Sequence, residues 1–359
     1  MKIGLLGLGT VGMGVYELLN RNKLYEISHV LVKNKKKSRP LVNMDLITDD
    51  PYDLDDVDIL VEVTGDYDLA YSMIKRHLLL GHHVVTANKE VMAPNLLELS
   101  NLAKENNCYL LYEASCGGGI PIISNLFKSK QINDFNYIMG ILNGTTNFIL
   151  TKLFTTNMKL DEAIGEAICL GFAEADPSND LKGLDMARKM AILSKIAYGV
   201  DFDLREITCF GLNNITDADV SFLKNHHLSL KFVAESKYGD ISYINVNPIA
   251  FHNHSLASVN NEFNSILLGG SVSGDLIFTG KGAGAYPTAY AIIDDLFKIY
   301  NNEKKIYFEK PKKINLGLDH EMYQYYVRTK DSQYITPYIS KEEFFKLDCE
   351  FYAIIKEEN

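Results

Sequence analysis

Residues 2–12 read KIGLLGLGTVG, a short apolar run opening into three glycines, Gly7, Gly9 and Gly12, at G-x-G-x-x-G spacing. Val11, Val15, Leu18 and Leu19 then recur at helical spacing, which places the glycines at a strand-to-helix turn. In such a turn the first glycine permits the bend, the second lets the backbone approach a pyrophosphate, and the third lets helix and strand pack closely. The N-terminus of the following helix offers N–H groups and a positive dipole end to the phosphates. The stretch therefore predicts a dinucleotide site built on Gly7, Gly9, Thr10, Val11 and Gly12.

The context supports more than a lone turn. Strand-like runs at Ile27–Val32, Asp58–Thr64, His83–Ala87 and Tyr109–Ala114 alternate with helical patterns at Leu69–Leu80 and Leu96–Asn106. Repeated β-α alternation with short links means an α/β fold with a Rossmann-type, doubly wound parallel sheet. This domain is expected over 1–127, with a helical segment in 286–310 packing back on it. After Phe127 the rhythm changes to helical stretches at Thr146–Phe154, Asp161–Leu170 and Leu181–Tyr198, then to strand-rich sequence over Ser229–Phe278. We expect a second, α+β domain over 128–285, assigned to catalysis and, by analogy alone, to dimerisation, and a C-terminal extension over 311–359.

The bulk numbers exclude several classes. With 359 residues, 47% of them apolar, the chain can bury the cores of two domains. A net charge of −10 opposes a sequence-independent nucleic-acid binder. The five cysteines, Cys108, Cys116, Cys169, Cys209 and Cys349, are scattered and form no CxxC pair, which fits a reducing compartment. Met1 leads straight into a strand and the apolar runs fall short of a membrane span, so a cytoplasmic location without a membrane partner is expected.

Cofactor choice is read after the second strand. An NAD site usually carries Asp or Glu there, on the ribose hydroxyls. Residues 32–39 instead read VKNKKKSR, and Lys33 opens a run of cations that suits a 2′-phosphate. NADP is expected, with NAD as a second cofactor; a solvated basic loop is the alternative. Thr64 and Lys89 follow the third and fourth strands, at the edge where open parallel sheets bind ligands. Lys89 as an ordinary surface lysine stays open.

Two further stretches carry chemistry. Residues 113–121, EASCGGGIP, could hold a hard cation through oxygens near Glu113, although the residues alone favour a tight turn. Cys116 could serve as a nucleophile, as in an acylating aldehyde dehydrogenase, if a base such as His252 or His254 lay beside it. Residues 171–189 read GFAEADPSNDLKGLDMARK. Asn179 or Asp180 can cap the helix that follows, and Asp185 and Lys189 fall one turn apart on one face. That pair is either a surface ion pair worth a few tenths of a kcal/mol or the proton source for a carbonyl reduced by hydride. Glu174 could grip a substrate ammonium.

In these motifs the chain resembles the homoserine dehydrogenase family over nearly its whole length. The resemblance rests on GLGTVG (7–12), VEVTG (61–65), TANK (86–89), EASCGGGIPII (113–123), GILNGTTNFIL (140–150), GFAEADPSNDLKGLDMARKMAIL (171–193) and GKGAGAYPTA (280–289). It implies reversible NAD(P)H-dependent reduction of L-aspartate 4-semialdehyde to L-homoserine, within threonine and methionine biosynthesis, by a homodimer or homotetramer. It implies that Lys189 is the general acid/base, that Lys89 assists at the cofactor–substrate junction, and that Glu174, Asp180 and Asp185 bind the substrate. It also implies a monovalent cation such as Na+ on Glu113 and the backbone oxygens of Cys116, Gly118 and Ile120, and a glycine turn with Gly282 and Gly284 near the nicotinamide. Cys116 stands where the family usually has valine, and Lys281 where its glycine turn usually has proline. Tyr325-Tyr326-Val327-Arg328 resembles the opening strand of an ACT domain, with too few residues after it for a complete one. A truncated remnant with weak or absent threonine feedback is expected. A cofactor-binding sensor without turnover is the remaining alternative.

Overall fold

Strand β1 (Lys2–Leu6) is buried from Ile3 onward and lies at the middle of a six-stranded sheet. Around it the computed structural model describes residues 1–22, 25–39, 41–156, 158–173 and 177–357. The chain divides into two units: Met1–Ser129 with Lys281–Lys312, and Lys130–Gly280 with Lys313–Asn359.

In the first unit, β1 leads through α1 (Thr10–Asn22) to β2 (Glu26–Leu31), β3 (Ile47–Thr48) and β4 (Ile59–Glu62). Then come α2 (Tyr67–Leu79), β5 (His83–Thr86), α3 (Lys89–Glu105), β6 (Leu110–Leu111) and α4 (Ile122–Ser129). All six strands run parallel in the order β3-β2-β1-β4-β5-β6, the doubly wound order of dinucleotide-binding sheets. Such strands are covered on both faces, which is why they read as unbroken apolar runs. Ile3, Leu5, Val30, Ile59, Val61 and Val85 share one core with Val15 and Leu19 of α1.

The last strand is shorter than its apolar run suggests. Sequence pattern gives Tyr109–Ala114, but the strand ends at Leu111 and a 3-10 turn occupies Glu113–Ser115. Asp295 Oδ2 takes the Glu113 N–H at 2.9 Å, and the Glu113 carboxylate takes the amides of Ile123 at 2.7 Å and Ser124 at 2.9 Å. These bonds draw the backbone out of the ladder.

The second unit contains β7 (Phe135–Ile141), α5 (Gly144–Thr155), α6 (Leu160–Cys169), α7 (Ser178–Leu181) and α8 (Leu184–Tyr198). Short strands β8 (Val200–Asp201) and β9 (Thr208–Cys209) precede α9 (Asp217–Asn225), then β10 (Ser229–Lys237), β11 (Tyr243–Phe251), β12 (Phe263–Gly270) and β13 (Gly274–Lys281). The chain then forms α10 (Ala285–Tyr300), which packs on α1 in the first unit: a Cβ on Gly14 would stand 2.8 Å from the Ala285 carbonyl oxygen.

The C-terminal stretch is not a module apart. Strands β14 (Lys312–Lys313), β15 (Met322–Arg328), β16 (Gln333–Ile335) and β17 (Ile339–Ser340), helix α11 (Lys341–Phe344) and strand β18 (Phe351–Lys356) follow α10. The large sheet runs β13-β12-β7-β10-β11-β18-β15-β16 among the described residues. Strand β18 pairs parallel with β11 and antiparallel with β15, so residues after 313 complete the second unit's own sheet. Their aromatic side chains build its core; the Tyr325 and Phe344 rings stack at 4.3 Å. Among the described residues no helix is long and apolar enough to cross a membrane.

The helix expected as one segment from Leu181 to Tyr198 is two. Gly183, at φ +79°, separates α7 from α8, and neither Asn179 nor Asp180 caps α8. A Cβ on Gly183 would stand 2.8 Å from both Phe232 Cζ and Val246 Cγ1, so this bend lies tight against the sheet.

The phosphate turn makes a direct stability test. A Cβ on Gly12 would stand 2.3 Å from the Gly7 carbonyl oxygen, whereas one on Gly9 meets nothing within 4 Å. Gly12→Ala is expected to lose about 1–3 kcal/mol and to melt at lower temperature, while Gly9→Ala melts as the parent does. Equal melting temperatures for the two variants would contradict this packing.

Candidate active site

The phosphate turn opens with Gly7 at φ +104°, its N–H bonded to the Leu31 carbonyl at 3.0 Å. A bond from Met13 N to Gly9 O, 2.9 Å, begins the helical ladder, so the amides of Thr10, Val11 and Gly12 precede it. No acid stands in the first turn of α1, and Gly9 and Thr10 are exposed. The end of β1 thus presents amide donors and no negative charge, which suits a pyrophosphate.

Thr64 and Lys89 are tied together by a residue the sequence reading did not single out. Asn88 caps α3, accepting the Val91 N–H at 3.1 Å, and its Nδ2 donates to the Thr64 carbonyl at 3.1 Å. Lys89 is then the first residue of α3, and it is half-buried. Lys33 is 79% exposed and its Nζ lies 3.0 Å from Asp66 Oδ2, holding that carboxyl below the usual range. Asp66 also caps α2 through the Leu69 amide at 3.2 Å. The cationic loop is a turn, with Arg39 donating to the carbonyls of Asn34, at 3.0 Å, and Lys37, at 2.8 Å. Lys35, Lys36 and Lys37 stay exposed.

The two glycine-rich stretches meet within the first unit. Gly118, at φ +57°, lies so close to Gly282 that a Cβ would stand 2.4 Å from the Gly282 carbonyl carbon. Gly119 N donates to Lys281 O at 3.1 Å, and Gly284 precedes the first turn of α10. Triple glycine here serves close backbone approach.

Glu113 revises the cation expectation. Its carboxylate is 2% exposed and committed to the N-terminus of α4, accepting the two amides named above and the Ser124 hydroxyl. Lys298 Nζ lies 3.6 Å away and binds Asp295 at 2.7 Å; burial pushes the Asp295 carboxyl well above its usual range. The Glu113 side chain is thus engaged by α4, which leaves its backbone oxygen and those of Cys116, Gly118 and Ile120 for the cation the resemblance implies. The Ile120 oxygen already accepts from Ile122 N at 2.8 Å. Among the described residues no group of three or more His, Cys, Asp or Glu could hold a metal ion. Cys116 is fully buried, with its sulfur 3.8 Å from Ser115 Oγ, which removes it from the reach of an aldehyde.

The second unit brings Asp180, Asp185 and Lys189 together. Lys189 is 9% exposed; its Nζ lies 2.8 Å from Asp185 Oδ2 and donates to the Leu142 carbonyl at 2.7 Å. A single residue organises the carboxylates. Asn143 Nδ2 donates to Asp180 Oδ1 at 2.8 Å and to Asp185 Oδ2 at 3.2 Å. Its Oδ1 accepts the Thr146 N–H at 2.9 Å, capping α5. Glu174 lies outside the described residues. Sequence reading missed Asn143, although an Asn before a helix is an N-cap signal.

Comparison with known proteins places the chain among relatives of one kind. Two family models match: one described as homoserine dehydrogenase over residues 121–297, and one as its NAD binding domain over 7–113. The homoserine dehydrogenase of Bacillus subtilis is 39% identical over 317 residues, covering 84% of this chain and 73% of that protein. The crystal structure of a homoserine dehydrogenase from Thiobacillus denitrificans superposes with a TM-score of 0.89 at 26% identity, over 99% of this chain and 98% of that one. A hyperthermophilic archaeal homoserine dehydrogenase solved with NADPH gives a TM-score of 0.71 at 28% identity, over 85% of this chain and 98% of that one.

Asn143 offers a test of the carboxylate array. Asn143→Ala is expected to lose about 1 kcal/mol through the missing cap and to weaken substrate binding beyond what that loss explains. A variant with lowered melting temperature but unchanged KM for the amino-acid substrate would confine Asn143 to capping.

Proposed function

The chain belongs to the homoserine dehydrogenase family and is an NAD(P)-dependent oxidoreductase of that kind; on that premise we propose that Lys189 carries the proton of the reaction. The observation behind this assignment is a lysine ammonium nine-tenths buried and held by one carboxylate and one carbonyl. Two fixed partners leave Nζ little freedom, and fixed geometry is what proton transfer needs.

In the direction of reduction the substrate is L-aspartate 4-semialdehyde. The reduced nicotinamide, when bound, supplies a hydride to the aldehyde carbon. Lys189 gives a proton to the aldehyde oxygen, and in reverse takes it from the homoserine hydroxyl. Asp185 and the Leu142 carbonyl hold Nζ in place. Asp180, with Glu174 by family resemblance, receives the substrate ammonium, and Asn143 keeps Asp180 and Asp185 apart at fixed positions. Within the first unit, Thr64 and Lys89 follow β4 and β5 at the edge assigned to the cofactor.

NADP(H) is the preferred cofactor. Residues 33–39 contain no acid to bind a ribose 2′-hydroxyl, and Lys35, Lys36 and Lys37 are exposed to meet a 2′-phosphate. The NADPH complex of the archaeal relative supports this choice. No step is assigned to a cation, because the Glu113 carboxylate is engaged by α4. The acylating reading loses its nucleophile, since Cys116 is enclosed.

Lys189→Ala is expected to lower kcat by about two orders of magnitude or more, the scale of general acid–base catalysis. Homoserine binding measured calorimetrically should change far less, and near-normal kcat in this variant would show that another group moves the proton. Lys33→Glu is expected to shift preference from NADPH toward NADH, read as the ratio of kcat/KM values; an unchanged ratio would remove Lys33 from cofactor selection.

A further inference from the structure

Glu62, the last residue of β4, is fully buried, yet nothing in the mechanism above uses it. A carboxyl in that position is costly unless its oxygens are satisfied. They are, by neighbouring donors. The Thr64 N–H reaches Oε1 at 2.7 Å, and the Thr86 hydroxyl reaches Oε2 at 2.5 Å. The network continues outward, since Thr86 Oγ1 accepts the Asn88 N–H at 3.0 Å. Asn88 in turn caps α3 ahead of Lys89 and donates to the Thr64 carbonyl. One buried side chain therefore connects the ends of two neighbouring strands to both residues assigned to the cofactor edge.

We propose that Glu62 is a positioning residue for the cofactor: its ionised carboxylate holds the ends of β4 and β5 in one arrangement and so places Thr64 and Lys89. The Thr64 N–H and the Thr86 hydroxyl both donate to it. Ionised, it accepts both bonds. Neutral, it carries an O–H of its own, which must displace one donor or turn the Thr86 hydroxyl round. The Asn88 cap hangs on that hydroxyl. A glutamine imposes the same conflict permanently, because its amide NH2 faces a donor. What acts on the carboxyl is its burial first, then the Thr86 hydroxyl, the Thr64 amide and the Asn88 side chain, all of them neutral. Burial raises it to about 7, so both states are reached near neutral pH.

The inference rests on the reading that Thr64 and Lys89 face the cofactor. The experiment is a fluorescence titration of the full chain with NADPH, run from about pH 5.5 to about pH 8.5 on the wild type, Glu62→Gln and Lys89→Ala. At the alkaline end Glu62→Gln is expected to bind NADPH about tenfold more weakly, the loss of one charge-assisted bond. At the acid end, where wild-type Glu62 is itself neutral, the gap should close to within about twofold. Protonation of the NADPH 2′-phosphate affects both proteins alike and leaves the gap unchanged. Equal binding at the alkaline end, or a gap independent of pH, overturns the proposal. Unchanged binding in Lys89→Ala removes the underlying reading and the inference with it; weakened binding there with none in Glu62→Gln removes the inference alone. If Glu62→Gln does not fold, Thr86→Val and Thr86→Ser decide: weaker binding in the first with recovery in the second supports the network, and wild-type binding in Thr86→Val refutes it.

Discussion

An ammonium enclosed by protein must be compensated, and the Lys189 site is arranged around that requirement. Burying an isolated charge costs several kcal/mol, and removing one partner of a buried pair typically costs about 3–5 kcal/mol. Lys189 meets this with Asp185 one helical turn away and with the Leu142 carbonyl at the end of β7. Asp185 must then be held as well, and Asn143 does so while also holding Asp180. The position of α8 follows from Gly183, whose left-handed backbone seats the bend against Phe232 and Val246. Sheet, bend, helix and carboxylates are thus linked through one positively charged group.

The nucleotide-binding unit solves a different electrostatic problem. It must receive phosphates, so it presents the amides of Thr10, Val11 and Gly12 and keeps acids out of the first turn of α1. Its buried carboxylates are committed inward. Glu113 caps α4, Asp295 pairs with Lys298, and Glu62 joins two strand ends. Each satisfies the rule that buried charge is bonded. The same rule explains why a carboxylate beside the glycine-rich turn, read from sequence as a cation ligand, has another task.

Much of the first unit was legible because its physics is local. Strands buried on both faces read as apolar runs, and Gly7, Gly9 and Gly12 mark the turn without ambiguity. Lys189 and Asp185 were visible at i, i+4. What escaped depends on distant partners. Asn143 lies 37 and 42 residues from the carboxylates it binds, and no spacing rule spans that distance. Strand β7 mixes buried, half-buried and exposed positions without a clean period of two, and went unread. The stretch after 313 looked like the start of a separate module because its pairing with β11 is non-local. Gly183 lies inside Leu181–Tyr198, a stretch that reads from sequence as one helix.

The central claim is a hydride-and-proton reduction of a four-carbon amino-acid aldehyde that needs neither a thiol nor an acyl acceptor. It is tested most directly by mixing the enzyme with NADPH and L-aspartate 4-semialdehyde in phosphate-free buffer and quantifying both NADPH and homoserine. The account predicts one homoserine formed per NADPH oxidised, with the rate unchanged by added phosphate and retained after alkylation of exposed thiols. NADPH left unoxidised, or turnover that requires phosphate and ceases on alkylation, would contradict it.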